Sequence, residues 1–557
     1  MVKKIKKPLS RREFIKTASA ASLCAGGMIA SSHLAGCDLI GTHSQTEFDI
    51  LVKNGTVYDG TLSGPYRADV GIKGDRITDV GNINGSARTL IDASGCIVAP
   101  GFIDVHTHCD LTFKRTGAKR YLAYVLPSWK GNYNYIYQGV TTVITGNCGY
   151  GYADLNEWFD IVESVNFGTN VLHLAPHGVL RRDVFGRNPP RELSAKQMDI
   201  LKGRVSEELE KGAVGLSTGL EYTPGWLATK KELIELARVA GRHNGIYTTH
   251  VRDESGTVYP DGRIGVLEAV KEAVEVGRRA EVPVEISHLK ISSPTHTVSA
   301  DQLLDVLEQA RMEGMNVTAD QYPYDAGSTK LSFLLPNEFE SGGGVKKEYK
   351  TRQGRQDIRR AIKGVFSHLG PEKIVITYYP GMDSYEGKTV KEISDLEGKS
   401  PEDSYTNMVC EDISPDALFF SQDMAVVNKI MEKDFIITAS DGWTIPKGIT
   451  QPHPRIYGTF PRKLKKARAS QQDVVSTIYS MTGLPANKFN LEDRGRIAAT
   501  YYADIAVINP GTITDRATYK IPHQYSEGIT HLLVNGKFAI KNERATGERS
   551  GRALRRG

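Results

Sequence analysis

Cysteine is scarce in this chain, which has six cysteines in 557 residues, at irregular spacing and without a Cys-x-x-Cys pair. A disulfide framework is therefore excluded as the basis of the fold, because such frameworks need closely spaced cysteines in a small domain. Separate roles are expected for these thiols instead. Cys148 needs a particular explanation, since it lies in the glycine-rich stretch VITGNCGYGYADL.

An excess of charge of one sign is also lacking beyond the N-terminus. Residues 1–36 carry seven basic side chains and one acidic one, a balance of +6, so a net charge of +5 leaves −1 for the remainder. A surface for nucleic acid is therefore not expected. Short repeats and low-complexity tracts are absent from the sequence, and a hydrophobic share of 40% is that of a folded protein with a substantial core.

The N-terminus predicts an export signal over residues 1–36, followed by a linker over 37–47. The stretch SRREFIK resembles a bacterial twin-arginine signal, and LAGC, which ends at Cys37, resembles a lipoprotein box whose cysteine is lipidated. Serine and glycine interrupt the apolar run between them, which argues against a permanent membrane span. The expected location is the periplasm or cell envelope, with a lipid anchor in the membrane if Cys37 is modified. A disordered basic arm with a chance LAGC is the alternative.

Strand-like runs stand at both ends of the remaining chain. Asn-Gly, Asp-Gly and Lys-Gly-Asp turns separate β-branched runs over 48–100, and similar runs return over 490–557. The simplest arrangement is a small β-sandwich module built from both chain ends, with the rest of the chain inserted between its halves.

Over residues 101–489, short apolar runs alternate with amphipathic helical stretches. This alternation predicts parallel βα units and an α/β fold. Eight candidate strands predict a (β/α)8 TIM-type barrel. The interval between strands seven and eight is too long for one unit, so an insertion of about 326–432 is expected near the barrel mouth, where it could act as a lid. The eight candidates are GFIDVHTH, GVTTVITGN, NVLHLAPHG, AVGLSTG, GIYTTHVR, VPVEISHLK, NVTADQYPY and DFIITASDG.

In such a barrel the functional site lies at the C-terminal ends of the strands. Side chains two residues apart on a strand share a face, so both imidazoles of the VHTH run point the same way. A His-x-His pair alone fits two hydrogen-bonded core histidines as well as it fits a site. The convergence of further strand ends indicates a metal centre. The ligand-type residues at these ends are His106, His108, Cys148, His177, His250, His288 and Asp441.

Imidazole and thiolate together favour Zn²⁺ over magnesium or calcium, which prefer oxygen ligands. Cys148 is therefore predicted to be a metal ligand. Two other interpretations of this thiol are a small core residue and a nucleophile. Cys109 alternates away from the metal face and is expected to pack in the core, as are Cys96 and Cys410.

A set of motifs in this order carries a family resemblance: APGFIDVHTHCD, GVTTVITGNCG, THVR, SHLK, YPY, SDG and HPRIYGTFPR. The set resembles the amidohydrolase superfamily, specifically its N-acyl-D-amino-acid deacylase (D-aminoacylase) family, from Phe48 to the C-terminus. Many amidohydrolases bridge two metals with a lysine from strand four, but this strand ends GLSTGLEYTPG. The branch that uses a cysteine after strand two is the one matched.

The resemblance implies one tightly bound Zn²⁺ and a second, often weakly occupied position. Asp441 is implied to be the general base, because a carboxylate beside activated water can take its proton and return it to the leaving nitrogen. An Asx turn before Gly442 is the other interpretation of Asp441. By the same resemblance, the tight ion would be held by Cys148, His250 and His288, and the second position would be lined by His106, His108 and Asp441 with Cys148 between the two.

The same resemblance implies which residues bind the substrate. Lys290, Tyr322 and Arg455 match the carboxylate-binding residues of the family, and Tyr222 matches another tyrosine beside the substrate. A guanidinium suits a carboxylate because its planar fork donates two parallel hydrogen bonds. Surface salt bridges are the alternative for Lys290 and Arg455. A core position is the alternative for Tyr322, in which case Tyr324 could serve instead.

The sequence thus predicts an exported zinc-dependent hydrolase that cleaves the amide bond of a small N-acyl-D-amino acid. One alternative is another amidohydrolase activity, on a D-residue dipeptide or a cyclic amide. The missing strand-four lysine speaks against the cyclic amides. The other alternative is a tethered binding protein without catalysis, and the complete ligand set with Asp441 argues against it. The sequence carries no signal for the oligomeric state.

Overall fold

A computed structural model describes residues 47–114, 117–186, 189–292, 297–336, 339, 345–410 and 414–556. The predicted export signal over 1–36, the predicted lipidation site Cys37 and nearly all of the predicted linker lie outside the described residues. Every helix in these ranges is too short or too polar to cross a lipid bilayer.

The described residues form an α/β fold, as the sequence predicts, with 21 strands. The strands are β1 Phe48–Val57, β2 Tyr66–Lys73, β3 Arg76–Gly81, β4 Ala87–Asp92, β5 Ile97–Pro100, β6 Phe102–Asp104, β7 Val140–Thr145, β8 Asn170–His173, β9 Ala175–Pro176, β10 Gly215–Gly219, β11 Ile246–His250, β12 Val284–Ile286, β13 Val317–Gln321, β14 Gly327–Lys330, β15 Ile374–Tyr378, β16 Asp416–Phe419, β17 Ile436–Thr438, β18 Ile505–Ile508, β19 Ile529–Val534, β20 Lys537–Lys541 and β21 Arg544–Ala545.

Helices separate most successive central strands along the chain, and others lie in the segment between β13 and β17 and after β17. The helix Lys230–Arg242 illustrates their amphipathic pattern: it buries one stripe of apolar side chains, formed by Leu233, Leu236, Ala237 and Ala240. The α-helices are Gly117–Val125, Pro127–Lys130, Tyr133–Ile136, Leu155–Val165, His177–Phe185, Ala195–Glu210, Lys230–Arg242, Gly265–Ala280, Ala300–Met312, Val345–Tyr349, Arg352–His368, Val390–Glu397, Pro401–Cys410, Met424–Met431, Arg455–Ala467, Gln471–Met481 and Gly483–Lys488.

Strands from both ends of the chain share one nine-stranded sheet, in the order β21-β20-β19-β18-β5-β1-β2-β3, with β4 paired to β1. The two ends meet where β5 and β18 pair antiparallel, with Ala99 opposite Ala506. This pairing corresponds to the composite module that the sequence predicts. The division of the module into the two layers of a sandwich stays a prediction.

The central strands are all parallel and form two sheets, β6-β7-β8 and β17-β13-β12-β11-β10-β9. Each of the eight candidate segments contains at least one of these strands. Leu174 alone separates β8 from β9, and a parallel bridge joins Thr107, after β6, to Gly442, after β17. Because every pairing is parallel, the C-terminal ends of these strands lie on one side.

The segment between β13 and β17 forms a separate antiparallel sheet in the order β14-β16-β15. It has an apolar cluster of its own, in which Ile358 and Ile362 of the helix Arg352–His368 pack with Tyr405 and Phe419. This is the segment where the sequence predicts an insertion. Its sheet and core explain why the interval is longer than one βα unit.

Candidate metal centre and substrate cavity

Six of the predicted ligands meet at the C-terminal ends of the central strands, and all six are buried. They follow or end five different strands, and with Glu254 their side chains form overlapping groups in which the ligand atoms lie within 4.8 Å of one another. The groups are His106 with Cys148 and His288, His106 with His108 and Asp441, and His250 with Glu254 and His288.

Cys148 lies at the centre of the first group. Its Sγ is 3.3 Å from Nε2 of His106 and 3.7 Å from Nε2 of His288. Asp441 connects this group to the second, because its Oδ1 is 3.6 Å from Nε2 of His106 and 3.2 Å from Nε2 of His108. Imidazole, thiolate and carboxylate thus face one small volume.

His250 is the member whose partners differ from the predicted set. Its Nε2 lies 2.9 Å from Oε2 of Glu221 and 3.6 Å from Oε1 of Glu254. The structure therefore groups His250 with His288 and a carboxylate, and Cys148 with His288 and His106. Which three residues hold the tighter ion stays a prediction.

Three of the predicted ligands have a left-handed backbone: φ is 54° at Cys148, 34° at His288 and 48° at Asp441. Such angles are uncommon for residues with a Cβ, cost about 1–3 kcal/mol each, and cluster at functional sites. The backbone of Cys148 also lies very close to Gly219, where a Cβ would be 2.1 Å from the carbonyl oxygen of Cys148. Glycine at position 219 therefore allows the close contact of the two backbones that positions the thiol.

Asp320 is a site residue that the sequence reasoning missed. Its Oδ2 lies 3.2 Å from Nδ1 of His106, and its Oδ1 accepts a hydrogen bond of 2.8 Å from the backbone N of His288. The first contact leaves Nε2 of His106 facing the sulfur, and the second holds the left-handed backbone of His288. Partners of this kind orient metal ligands. The only signal in the sequence was an acid near the end of strand seven.

Glu254 is a second missed residue. Its Oε1 lies 3.0 Å from Nδ1 of His288 and 2.5 Å from Nζ of Lys290. Burial by itself would raise the pKa of Glu254, but His250, Lys290 and His288 outweigh burial and hold the pKa well below its usual value. Glu254 is therefore an ionised carboxylate behind the imidazoles of His250 and His288.

The donor set fits a zinc ion. Burial would raise the pKa of the Cys148 thiol, but the neighbouring His106 and the other imidazoles hold it well below its usual value. A thiolate beside imidazole nitrogens, with a carboxylate on the far side, is the ligand chemistry of zinc rather than of magnesium or calcium. The second nitrogens of His106 and His288 face Asp320 and Glu254, as metal-binding histidines require.

A cavity of about 510 Å³ opens onto this cluster and exposes His250, His288 and Asp441. All four predicted substrate-binding residues line it: Tyr222, Lys290, Tyr322 and Arg455. The insertion supplies much of the opposite wall, through Phe333, Leu334, Val365, His368, Leu369 and Phe419.

Arg455 is buried and binds Asp441, with Nη2 2.8 Å from Oδ2. Its Nε and Nη1 are buried and have no hydrogen-bond partner among the described residues, so the guanidinium is not fully satisfied by Asp441. The guanidinium lies 4.4 Å from the ring centroid of Tyr322. Tyr324 does not line the cavity and packs against His453 instead, which favours Tyr322 over Tyr324 at the site.

Other candidates lie outside the cluster. His177 is fully buried, and its Nε2 is 2.9 Å from Oε1 of Glu232, which also forms a buried ion pair with Arg181. Cys109 is fully buried in the large apolar core. Cys96 and Cys410 pack against the cores of the end module and the insertion.

Comparisons with known proteins agree with this site. The sequence profile of the Amidohydrolase family matches residues 360–540. D-aminoacylase of Alcaligenes xylosoxydans xylosoxydans is 32% identical over 536 residues, which cover 91% of this chain and 98% of the relative. N-acyl-D-glutamate deacylase of the same organism is 33% identical over 540 residues, which cover 92% of this chain and 97% of the relative.

Among solved structures, N-acyl-D-glutamate deacylase from Bordetella bronchiseptica, complexed with zinc and a phosphonate inhibitor, superposes with a TM-score of 0.75 at 29% identity. The match covers 91% of this chain and 99% of that chain. The fold and the site together define a metal-dependent amidohydrolase. Within that class the chain belongs to the N-acyl-D-amino-acid deacylase (D-aminoacylase) family, which confirms the family that the motifs predict.

Proposed function

We propose that this protein is a zinc-dependent hydrolase that cleaves N-acyl-D-amino acids to a carboxylate and a free D-amino acid. The observation that carries the proposal is the placement of Asp441, whose two oxygens face the ligand cluster and the cavity cation Arg455. Relatives named for this reaction match almost the whole chain. The same arrangement argues against a non-catalytic binding protein.

Cys148, His250 and His288 are proposed to hold one tight Zn²⁺, and His106, His108 and Asp441 to line a weaker second position. The overlapping ligand groups support two neighbouring positions rather than one. A zinc ion held by these residues would supply the chemistry that activates a water and polarises the amide carbonyl.

Asp441 is proposed to take the proton of the attacking water and to return it to the leaving nitrogen. Burial would raise the pKa of this carboxyl, but Arg455, His108 and the other imidazoles hold it well below its usual value, so Asp441 is ionised and able to accept a proton. Arg455 fixes Oδ2, which leaves Oδ1 directed at the ligand cluster. A substrate carboxylate that binds Arg455 weakens this ion pair and makes Asp441 more basic.

The α-carboxylate of the substrate is proposed to bind the guanidinium of Arg455, two of whose nitrogens lack a hydrogen-bond partner among the described residues, with the ammonium of Lys290 nearby. Lys290 is held by Glu254, and its Nζ also lies 2.9 Å from Nδ1 of His288, so its charge is already compensated and it contributes mainly a positive field near the substrate. Tyr322 lies against the Arg455 guanidinium, and Tyr222 packs 4.5 Å from the His250 ring, where each borders the bound substrate.

The substrate side chain is proposed to be uncharged. The insertion side of the cavity carries the apolar side chains of Phe333, Leu334, Val365, Leu369 and Phe419 beside hydroxyl groups and the imidazole of His368, and its described residues include no lysine or arginine. The two cavity-lining residues with a permanent positive charge in the described ranges, Lys290 and Arg455, already face carboxylates. A second carboxylate on the substrate would therefore be buried without a lysine or arginine of its own, which is costly.

The fold is proposed to be a (β/α)8 barrel with a two-layered module from both chain ends. Parallel pairing of the central strands, the short gap between β8 and β9, and the bridge from Thr107 to Gly442 support a closed ring. The insertion is proposed to act as a lid, because its residues form one wall of the cavity.

Export and lipidation at Cys37 are proposed on the basis of the N-terminal motifs alone. The test is fractionation of the natural host followed by mass spectrometry of the mature N-terminus, with the Cys37→Ser variant as the control. Recovery of the unprocessed chain from the cytoplasm would contradict the proposal.

The activity is tested by metal analysis of the purified chain, combined with hydrolysis of N-acetyl-D-methionine and N-acetyl-L-methionine. Near-stoichiometric zinc and cleavage confined to the D substrate are expected. Zinc without cleavage of either substrate would redirect the search to D-residue dipeptides and cyclic amides. A chain that neither binds zinc nor gains activity when zinc is added would be a binding protein.

A further inference from the structure

His453 is a buried histidine that does not line the cavity, and both of its ring nitrogens form hydrogen bonds with backbone groups. The backbone N of Arg455 donates to Nδ1 at 2.9 Å, and Nε2 lies 2.9 Å from the carbonyl oxygen of Ala326. Because Nδ1 accepts an N–H, the ring proton must be on Nε2, which donates to Ala326. The two backbone partners therefore fix a neutral imidazole in one tautomer.

The hydrogen bond to Arg455 replaces a missing helix cap. Arg455 opens the helix Arg455–Ala467, and Pro454 at its N-cap has no side chain that can accept a hydrogen bond. The first N–H groups of a helix lack partners within the helix, so the imidazole of His453 satisfies one that would otherwise be buried without an acceptor. The position of the first helical residue thus depends on this ring.

The hydrogen bond to Ala326 reaches a different part of the chain. Ala326 directly precedes β14, Gly327–Lys330, whose Gly327, Ser328 and Thr329 line the cavity. One imidazole consequently connects the backbone of the cavity cation Arg455 to the start of the insertion wall.

Three tyrosine rings hold the plane of this imidazole. The centroids of Tyr322, Tyr324 and Tyr519 lie 6.0, 5.2 and 5.3 Å from that of His453, all in edge-to-face contact. Tyr322 also lies under the guanidinium of Arg455. The ring therefore cannot rotate away from its two backbone partners without displacing a residue of the cavity.

We propose that His453 is a positioning residue for the substrate carboxylate: it sets the backbone of Arg455, and through it the guanidinium, relative to the cavity wall that begins at Ala326. This inference rests on the proposed function, in which Arg455 binds the α-carboxylate. His453 itself touches neither the substrate nor the metal ligands.

Two variants separate the two hydrogen bonds of the ring. In His453→Asn the side-chain oxygen takes the place of Nδ1, so the acceptor for Arg455 is kept and the link to Ala326 is lost. In His453→Gln the amide nitrogen takes the place of Nε2, so the link to Ala326 is kept and the acceptor for Arg455 is lost. His453→Phe removes both links and retains a ring.

The measured quantity is the preference for a carboxylate, given as Ki of N-acetyl-D-leucinamide divided by KM of N-acetyl-D-leucine. The amide is followed as a competitive inhibitor, so its affinity is obtained even if it is cleaved slowly. We expect a ratio of at least about ten for the wild type, as charge-assisted hydrogen bonds contribute that much. We expect less than about three for the Gln and Phe variants, through a raised KM, and a value near that of the wild type for Asn.

Thermal unfolding and zinc content are measured for each variant, and unchanged zinc is expected in all three. If the Phe variant does not fold, the comparison of Asn with Gln still decides. An unchanged ratio in the Gln variant, or an equal loss in Asn and Gln, would overturn the inference while the proposed function stands. A wild type that cleaves the D substrate but shows no preference for the carboxylate would overturn both this inference and the role of Arg455.

Discussion

Arg455 binds Asp441 through Nη2 and Oδ2 at 2.8 Å, although the two residues come from different elements at the C-terminal side of the central strands. The pair joins the proposed general base to the proposed carboxylate-binding cation. In the proposed function, one guanidinium therefore couples substrate recognition to proton transfer. On that proposal, a carboxylate on the substrate would promote the reaction as well as binding.

Replacement of Asp441 by asparagine keeps the shape of the side chain and removes the proton acceptor. We expect kcat for N-acetyl-D-methionine to fall about 10²–10⁴-fold, the usual contribution of a general base. Zinc is expected to stay bound at the tight position. Asp199→Asn, at an exposed position, is the control. Activity within tenfold of the wild type would remove Asp441 from the proposed role.

Replacement of Cys148 by alanine is expected to abolish tight zinc binding and activity, because it removes the thiolate that contacts His106 and His288. Zinc is measured by mass spectrometry after dialysis against a weak chelator. Cys96→Ala, in the end module, is the matched control and is expected to keep both zinc and activity. A zinc-loaded, active Cys148→Ala enzyme would mean that the thiol is a packing residue.

Replacement of Glu254 by glutamine tests the carboxylate behind His288 and Lys290. We expect zinc affinity to fall about 10–100-fold, because the hydrogen-bond partners of metal-binding histidines contribute that much. Competition with a chromophoric chelator gives the affinity, and Glu275→Gln, which removes an exposed ion pair with Lys230, is the control. Equal affinities in the two variants would show that Glu254 does not orient His288.

The lining of the cavity predicts the side-chain preference. We expect kcat/KM for N-acetyl-D-leucine to exceed that for N-acetyl-D-glutamate by at least about 100-fold, since the described lining offers a second carboxylate no lysine or arginine that is free of a carboxylate partner. The variant Leu369→Arg places a cation in the apolar wall and is expected to narrow the difference. Preference of the wild type for the glutamate substrate would show that the insertion side of the cavity supplies another donor.

A pH effect on stability is expected from Glu285, which is buried on β12. Burial and the charge of Asp320 raise the pKa of Glu285 to about 8, against about 4.3 for an exposed glutamate. Between these values the folded state keeps a proton that the unfolded state has released, so Glu285 lowers stability progressively as the pH rises from about 4 to 8.

The variant Glu285→Gln removes this dependence. The unfolding temperature of the variant minus that of the wild type is expected to be a few degrees higher at pH 8 than at pH 5. Differential scanning fluorimetry of both proteins across this range gives the comparison. A difference that is constant with pH would mean that Glu285 is ionised in the folded state.

The sequence alone was enough to predict those site residues whose position depends on short-range patterns along the chain. The period of two along a strand placed His106 and His108 on one face, and alternation of strands and helices placed Cys148, His250, His288 and Asp441 at strand ends. These inferences need only the direction of neighbouring side chains and the order of elements, and both are properties of a short stretch of chain.

Only the tertiary structure determined which side chains meet. Asp320 lies 214 residues from His106, and Ala326 lies 127 residues from His453, so no pattern within a short stretch of sequence predicts either contact. The same holds for Glu254 behind His288 and for the insertion wall of the cavity. Hydrogen bonds and packing between residues so far apart in sequence depend on how the whole chain folds. The geometry of the site therefore cannot be inferred from residue spacing alone.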